Sequence, residues 1–187
     1  IGGDLKFRSN EKLEKIDGFI NLERIEGEVY FRVNPLLHSF NGLSNLKFIG
    51  DIVRFYKNDM LIDLAGFKSL EVLEGEVLYI WNNDNLHSLN GLSSLKKING
   101  DLLIGLNPKL NSLINLSELD SINGEIIIEN NEALTSLQGL NNINPKNIQR
   151  LTIFRCKELS ECSIQNICQY LNIDLNTHDI SQNKINC

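Results

Sequence analysis

Short stretches in which apolar and polar residues alternate recur along the whole chain. The stretch G-D-L-L-I-G-L-N at 100–107 returns as G-E-V-Y-F-R-V-N at 27–34 and as G-E-I-I-I-E-N-N at 124–131. Alternation with a period of two predicts a β-strand whose apolar side chains point into a core. The predicted inward pairs are Leu5/Phe7, Val29/Phe31, Val53/Phe55, Leu78/Ile80, Leu102/Ile104, Ile126/Ile128 and Leu151/Ile153.

The start of each strand marks a repeat of about 24 residues. A unit of this length cannot bury an apolar core alone, so successive units must stack on one another. Glycines in the middle of the units, such as Gly18 and Gly66, disfavour a helix between the strands. We therefore predict that residues 1–187 form a single β-solenoid domain of parallel strands. Its coils begin near Gly3, Gly27, Gly50, Gly75, Gly100, Gly124 and Ile148.

An asparagine stands three residues after the second inward residue of each strand. A bend at this point leaves backbone N–H and C=O groups without partners, and a buried unpaired polar group costs about 1–3 kcal/mol. Because an amide side chain both donates and accepts, a stacked column of asparagines can satisfy neighbouring bends. We predict a structural ladder of Asn10, Asn34, Asn58, Asn83, Asn107 and Asn131, with Cys156 in the next position.

The last part of the chain, residues 160–187, has a different pattern. Ile164, Ile167, Cys168 and Leu171 are spaced as one apolar stripe of a helix. The open end of a solenoid exposes apolar side chains and strand edges that must be covered. We predict that this segment is a cysteine-bearing C-terminal cap, with a last strand at 177–183.

All four cysteines lie in this part of the sequence: Cys156, Cys162, Cys168 and Cys187. Clustering at one end favours disulfides, and the absence of a Cys-x-x-Cys pair disfavours zinc. Cys162 and Cys168 lie on different faces of the predicted helix, too far apart to pair. Two pairings remain: Cys156–Cys168 with Cys162–Cys187, or Cys156–Cys162 with Cys168–Cys187. We favour the first, because Cys168 lies on the stripe that faces the coil carrying Cys156.

The repeated wording G-D-L-x-I-x-x-N-x-x-L-x-S-L-x-G-L-x-x-L-x-x-I-x-G, from Gly3 to Leu140, resembles the receptor L-domain branch of leucine-rich repeat proteins. The closing L-S-x-C-S-I-Q-N-I-C-Q-Y-L is similar to the end of Bacteroidetes cell-surface repeat proteins. The resemblance implies a non-enzymatic extracellular or cell-surface module, with a sheet face that holds ligands. Asn115 replaces a mid-unit glycine and Pro145 disturbs the end of the sixth unit, so we expect an intact fold with an irregular coil near Asn144 to Asn147.

The residues between the inward pairs must point outward and stack in two columns. The first column is Lys6, Tyr30, Arg54, Tyr79, Leu103, Ile127 and Thr152, and the second is Arg8, Arg32, Tyr56, Trp81, Gly105, Glu129 and Phe154. Three of the four tyrosines and the single tryptophan fall in these columns. Tyr, Trp and Arg carry much of the energy of binding interfaces. We predict a ligand-binding block of Tyr30, Arg32, Arg54, Tyr56, Tyr79 and Trp81.

Two other interpretations of this face stay open. Aromatic residues favour exposed sheet surfaces in any case, and Leu103, Ile127 and Phe154 suit self-association. The N-terminal end begins in the middle of a repeat, so we expect further sequence, further domains or another chain to cover it.

Composition narrows the function. A formal charge of −6 without a Lys/Arg cluster excludes a nucleic-acid binder, and the sequence contains no apolar run of membrane-spanning length. The acidic residues recur singly at one place in each unit, as Asp4, Glu28, Asp51, Glu76, Asp101 and Glu125. Such spacing favours a solvated corner, so we expect no catalysis, metal or cofactor.

We predict an extracellular recognition or adhesion module that binds a protein or carbohydrate ligand through the outward sheet face. The alternatives are a spacer within a larger surface adhesin and a polysaccharide-active β-helix enzyme.

Overall fold

The computed structural model describes residues 1–173 and 177–184, and in these ranges the chain forms parallel sheets and one short helix. The larger sheet has eight strands in chain order, one from each of the seven repeat units and one from the C-terminal segment. They are β1 (Leu5–Arg8), β3 (Val29–Arg32), β5 (Val53–Tyr56), β7 (Val77–Trp81), β9 (Asp101–Gly105), β11 (Glu125–Glu129), β12 (Arg150–Phe154) and β13 (Thr177–Ser181).

The smaller sheet lies between these strands in the sequence and has five two-residue strands. They are β2 (Arg24–Ile25), β4 (Phe48–Ile49), β6 (Val72–Leu73), β8 (Lys97–Ile98) and β10 (Ser121–Ile122). Every pairing in both sheets is parallel, and each strand pairs with the equivalent strand of the next unit. This arrangement of parallel sheets is compatible with the predicted β-solenoid. In the described part of the chain, β1 and β13 do not pair with each other, so the larger sheet stays open.

The in-register stacking places equivalent apolar residues directly above one another. Leu5 pairs with Val29, and Phe7 pairs with Phe31. The rings of Phe7, Phe31 and Phe55 form a stack with centroids 5.5 and 5.6 Å apart. Burial of each such side chain contributes about 1.5–3 kcal/mol, so the core is built by repetition of one contact set.

Short 3₁₀ turns lie between a long strand and the next short strand in three units, at Asn41–Leu43, Ala65–Phe67 and Ile114–Leu116, and a fourth, Pro145–Asn147, precedes β12. Asn115, the residue that replaces a mid-unit glycine, lies inside one of them. Gly91 occupies the equivalent place with a φ of 107°, and a Cβ there would lie 1.8 Å from the carbonyl oxygen of Leu64. Glycine at this position is required by the close approach of the preceding unit.

The asparagine side chains form a continuous hydrogen-bonded column beneath the ends of the long strands. Asn34, Asn58, Asn83, Asn107 and Asn131 are fully buried, whereas Asn10 at the end of the column is exposed.

Asn83 shows the bonding pattern of this column. Its Oδ1 accepts from the backbone N–H of Asn58 at 3.1 Å, while its Nδ2 donates to the carbonyl of Phe55 at 3.1 Å and to Oδ1 of Asn107 at 3.2 Å. The amide of Asn83 therefore joins three successive units, and Asn58 and Asn107 repeat the pattern.

Cys156 takes the ladder position in the seventh unit. Its Sγ lies 3.9 Å from the carbonyl oxygen of Ile128, and its backbone N–H donates to Oδ1 of Asn183 at 2.9 Å. Asn183 in turn donates to the carbonyl of Ile153 at 2.9 Å, so the column resumes beyond the cysteine. Burial raises the pKa of the Cys156 thiol to about 11, and the backbone N–H of Asn131 opposes that shift.

The residue just before each ladder position has a positive φ between 53° and 58°. These residues are Ser9, Val33, Lys57, Asn82, Leu106, Asn130, Arg155 and Gln182. The left-handed conformation turns the chain inward so that the next side chain enters the core. It costs roughly 1–2 kcal/mol for residues other than glycine, and a β-branched residue such as Val33 is an outlier there.

The helix α1 (Gln165–Leu171) is shorter than the predicted segment and is turned differently. Ile167 and Tyr170 are buried, but Cys168 is exposed. The helix contacts the Pro145–Asn147 turn, where Nδ2 of Asn166 donates to the carbonyl of Ile143 at 3.1 Å. Strand β13 follows the helix and pairs with β12, which confirms the predicted last strand at 177–183 and extends the larger sheet beyond α1.

The predicted disulfides are wrong at two of the four cysteines. Cys156 and Cys168 are both free thiols, which excludes the Cys156–Cys168, Cys156–Cys162 and Cys168–Cys187 pairs. The physical reason is the orientation of α1, because the larger Tyr170 side chain takes the inward place and turns Cys168 to solvent. The remaining pair, Cys162–Cys187, lies outside the described residues because Cys187 does.

Substitution Asn83→Ala is expected to lower the free energy of unfolding by about 2–4 kcal/mol, because it leaves a buried N–H and a buried carbonyl without partners. The matched control is Asn10→Ala at the exposed end of the ladder, which should cost less than about 1 kcal/mol. Urea denaturation measures both values. Equal losses for the two variants would contradict a role of the buried amides in coupling the units.

Substitution Val33→Asn is expected to raise the free energy of unfolding by about 1 kcal/mol, because asparagine tolerates the left-handed conformation better than a β-branched residue. The reciprocal change Asn82→Val places valine at a φ of 58° and should lower stability by a similar amount. Thermal and urea unfolding of both variants test the pair. A stabilising effect of Asn82→Val would show that backbone strain does not decide these positions.

Alkylation with iodoacetamide at about pH 8 is expected to modify Cys168 and to spare Cys156 until denaturant is added. The Cys156 thiol is buried and its pKa is raised to about 11, so its reactive thiolate forms only as the pH approaches that value. Peptide mapping by mass spectrometry distinguishes the two sites. Modification of Cys156 in the native protein as fast as Cys168 would mean that the ladder opens readily at this unit.

Candidate ligand-binding face

The six residues of the predicted block lie together on the outward face of the larger sheet, on strands β3, β5 and β7. The strand register places Tyr30 beside Arg54 and Arg54 beside Tyr79. In the neighbouring column the order is Arg32, Tyr56 and Trp81. This aromatic–basic block follows directly from alternation along each strand, which turns both residues of a strand to one side. All of its members are half-buried except Arg32, which is exposed.

Three of the aromatic rings form a connected cluster. The rings of Tyr79 and Trp81 are parallel to within 12° with centroids 5.2 Å apart, and Tyr56 lies 6.3 Å from Tyr79. Such ring pairs contribute about 0.5–1.5 kcal/mol beyond their area burial and limit side-chain motion. The cluster is therefore a pre-ordered apolar surface.

Trp81 is seated on a neighbouring glycine. Gly105 is its register partner on β9, and a Cβ on Gly105 would lie 2.5 Å from Cζ3 of the indole ring. The indole covers the backbone there, which is why Gly105 is buried. Alternation along the strands predicts only that Gly105 belongs to the outward column. The signal that identifies its role is the pairing of the smallest residue with the largest in adjacent units.

Cationic side chains surround the tyrosines. The guanidinium of Arg54 lies 5.8 Å and that of Arg8 lies 4.6 Å from the ring centre of Tyr30. The Arg32 guanidinium lies 5.9 Å from the ring centre of Tyr56. At exposed sites a cation–π contact is worth about 0.5–1 kcal/mol, which orients these groups without neutralising them.

The charges of Arg32 and Arg54 are not neutralised within the described ranges, where neither guanidinium forms an ion pair. Lys6, in the same outward column, differs because it bridges Asp4 at 2.6 Å and Glu28 at 2.8 Å. Hydrogen bonding to Asp4 raises the pKa of Lys6, and hydrogen bonding to Lys6 lowers the pKa of Asp4. Arg32 and Arg54 therefore carry positive charge that the other described residues do not neutralise, as does Arg8 at the edge of the same face.

The block surrounds a depression of about 510 Å³. Five of its six members line the depression, whereas Trp81 lies outside the lining. The other lining residues are Ile52, Glu76, Val77, Asp101 and Leu103. A volume of this size is within the range of small-ligand sites, about 300–1,000 Å³.

The acidic side of the depression was not predicted as part of the site. Glu76 and Asp101 belong to the acidic positions that recur once per unit, which the sequence analysis interpreted as a solvated corner. Asp101 also has a structural task, because its Oδ1 accepts from the backbone N–H of Glu125 at 2.7 Å. The missed signal is that Glu76 directly precedes β7 and Asp101 begins β9, so both carboxylates stand at the starts of strands whose outward residues line the depression.

Tyr79 lies between the two sides of the depression. Burial raises the pKa of its hydroxyl, and the neighbouring Tyr56 adds to that shift while Arg54 opposes it. Tyr79 is therefore uncharged at neutral pH and its hydroxyl can donate a hydrogen bond to a ligand.

Towards the C-terminal strands, the residues of the outward face become apolar and, at Thr152, buried. Leu103, Ile127 and Phe154 are half-buried, and Thr152 is only 8% exposed. Thr152 therefore differs from the outward, accessible position predicted for it. These residues lie beside the block on the same sheet but, apart from Leu103, do not line its depression.

No three His, Cys, Asp or Glu side chains within residues 1–173 and 177–184 are grouped so that they could hold a metal ion. In the same described ranges, no helix has the length and apolar character that a bilayer span requires. A scan against protein-family models finds no match, and a search of curated proteins finds no similar sequence. The resemblance to receptor L domains therefore depends on the repeat motif.

Substitution Gly105→Ala is expected to displace the indole of Trp81 and to change the tryptophan fluorescence and near-ultraviolet circular dichroism. The assignment is direct because the chain contains one tryptophan. The free energy of unfolding should fall by no more than about 3 kcal/mol, because the added methyl group displaces a side chain and not the backbone. The control is Gly3→Ala, where a Cβ would meet nothing within 4 Å. Unchanged spectra for Gly105→Ala would contradict the seating of Trp81 on β9.

Proposed function

We propose that this protein is a non-enzymatic recognition or adhesion module that binds a protein or glycan partner through the outward face of its larger sheet. The observation that carries the proposal is the depression of about 510 Å³ lined by Tyr30, Arg32, Arg54, Tyr56 and Tyr79. It joins a pre-ordered aromatic cluster to guanidinium groups that form no ion pair with other described residues. Tyr and Arg in such a concave site are the residue types that dominate binding energy.

The proposal includes the finer fold type and the location. We propose a β-solenoid of the leucine-rich repeat and receptor L-domain type, located outside the cell or on its surface. The one-strand-per-unit parallel register and the buried asparagine column support the fold type. The repeat motif supports the location through the family that it resembles.

The geometry offers less support for the two other functions. A polysaccharide-cleaving site needs carboxylates free to act as acid and base. Within the depression, Asp101 already accepts a backbone hydrogen bond from Glu125. A spacer needs neither a depression nor unneutralised arginines, so the block favours a recognition module over a spacer.

The double substitution Arg54→Ala/Trp81→Ala is expected to weaken ligand binding at least about tenfold, because it removes a cation and an aromatic anchor from the block. The matched control is Arg150→Ala/Phe154→Ala, which removes the same kinds of side chain from β12 on the same sheet. A glycan array and a displayed random-peptide library serve as the probes. Circular dichroism and urea unfolding establish that both variants are folded.

Binding that survives the Arg54/Trp81 double substitution undiminished would contradict the choice of face. Failure of the wild-type protein to retain any glycan or peptide would favour the spacer function instead. Loss of binding in the β12 control with retention in the block variant would place the ligand among Leu103, Ile127 and Phe154.

A further inference from the structure

The chemistry of the depression specifies its ligand more closely than the general function does. We infer that it takes an acidic saccharide of two or three rings, with a sugar carboxylate held by Arg54 and Arg32. This inference depends on the proposed recognition function of the same face. Four independent features of the depression support it. They are the arginines without an ion pair, the carboxylates on the opposite side, the strands that are already paired on both edges, and the volume of the depression.

The free cations require a negative partner. Arg54 is half-buried, and in the described ranges its guanidinium has neither an ion pair nor a hydrogen bond, only the ring of Tyr30 at 5.8 Å. A partly desolvated cation gains most from a ligand that supplies the missing acceptors. The planar guanidinium matches a carboxylate with two parallel hydrogen bonds, so a carboxylate is the acceptor that fits it best.

The opposite side of the depression excludes a ligand with many negative charges. Glu76 precedes β7 and Asp101 begins β9, whereas Arg32 and Tyr56 end β3 and β5. The depression is therefore acidic where the strands start and basic towards their ends. An acidic peptide or another polyanion would meet the carboxylates of Glu76 and Asp101. A saccharide satisfies both sides, since its hydroxyls donate to carboxylates while its acid group contacts the arginines.

The strands beneath the depression cannot accept a peptide strand. Each of these strands is paired on both sides: β3 lies between β1 and β5, β5 between β3 and β7, and β7 between β5 and β9. Their backbone N–H and C=O groups are therefore used within the sheet. Addition of a strand needs an open sheet edge, which this face does not offer. Any ligand must therefore be held by side chains alone.

The size of the depression fits a short oligosaccharide. Its volume of about 510 Å³ extends over four units from Tyr30 to Leu103. Neighbouring strands are about 4.8 Å apart, so three steps cover the length of two or three sugar rings. Tyr30 and Tyr79 stand on either side of Arg54 in one column and offer apolar ring faces against which a sugar ring can pack.

The test uses an array of uronate- and sialate-bearing oligosaccharides, each printed beside a neutral counterpart with the same number of rings, together with tetraglutamate peptide. Wild-type protein should retain carboxylated oligosaccharides at least about tenfold better than their neutral counterparts. Retention should weaken between about 50 and 300 mM NaCl, as expected for a partly exposed charge pair. The variant Arg54→Gln should lose this preference, whereas Arg150→Gln, with the same change of net charge on β12, should keep it.

Each other outcome overturns the inference in a recognisable way. Equal retention of acidic and neutral saccharides, with loss in the Arg54→Ala/Trp81→Ala variant, would leave recognition at this face but refute the acid requirement. Stronger binding of tetraglutamate would assign the arginines to an acidic peptide. Retention of no carboxylated oligosaccharide would refute the saccharide class, and the peptide library described above would then decide the recognition function separately.

Discussion

The buried column of asparagine amides is the interaction on which the rest of this structure depends. Each repeat turns inward after its long strand, and the turn leaves a carbonyl and an N–H without partners inside an apolar core. The amide of Asn83 satisfies groups in the units before and after it, through Asn58, Phe55 and Asn107. Because each unit is bonded to the next at the same atom positions, a shift of register by one residue would leave several buried polar groups unpaired.

A fixed register is also what makes a surface site. Residues that are about 24 positions apart in the chain become neighbours, so Tyr30, Arg54 and Tyr79 form one column without any loop to hold them. The cost appears in the backbone, where Val33 and its equivalents adopt a left-handed conformation to direct the next residue inward. Stacking of equivalent positions also lets a large side chain in one unit use the space left by a small residue in the next. Gly105 has no side chain, and the indole of Trp81 fills the space that this leaves.

The electrostatics of the block differ from those of the surface around it. Elsewhere, cations bridge carboxylates one unit away, as Lys47 does with Glu23 and Lys97 with Glu74. Such exposed pairs contribute only about 0–1 kcal/mol each, but they leave little free charge for a ligand. Arg32 and Arg54 are oriented by aromatic rings and, among the described residues, not by carboxylates. The block, rather than the whole sheet face, carries the proposed function because it combines these arginines with stacked aromatic rings and a depression.

The sequence by itself determined what depends on local alternation and on the repeat. The period of two assigned the inward residues and the outward columns, and the spacing of about 24 residues predicted parallel strands, because both patterns are repeated many times and reinforce one another. The tertiary structure alone decided features that depend on how one particular side chain packs and that no repeat pattern encodes. The orientation of α1 is set by the volume of Tyr170 against the core, which exposes Cys168 and leaves Cys156 a free thiol. The acidic side of the depression and the seat on Gly105 arise likewise only when neighbouring units are stacked, because they are contacts between units that no single repeat contains.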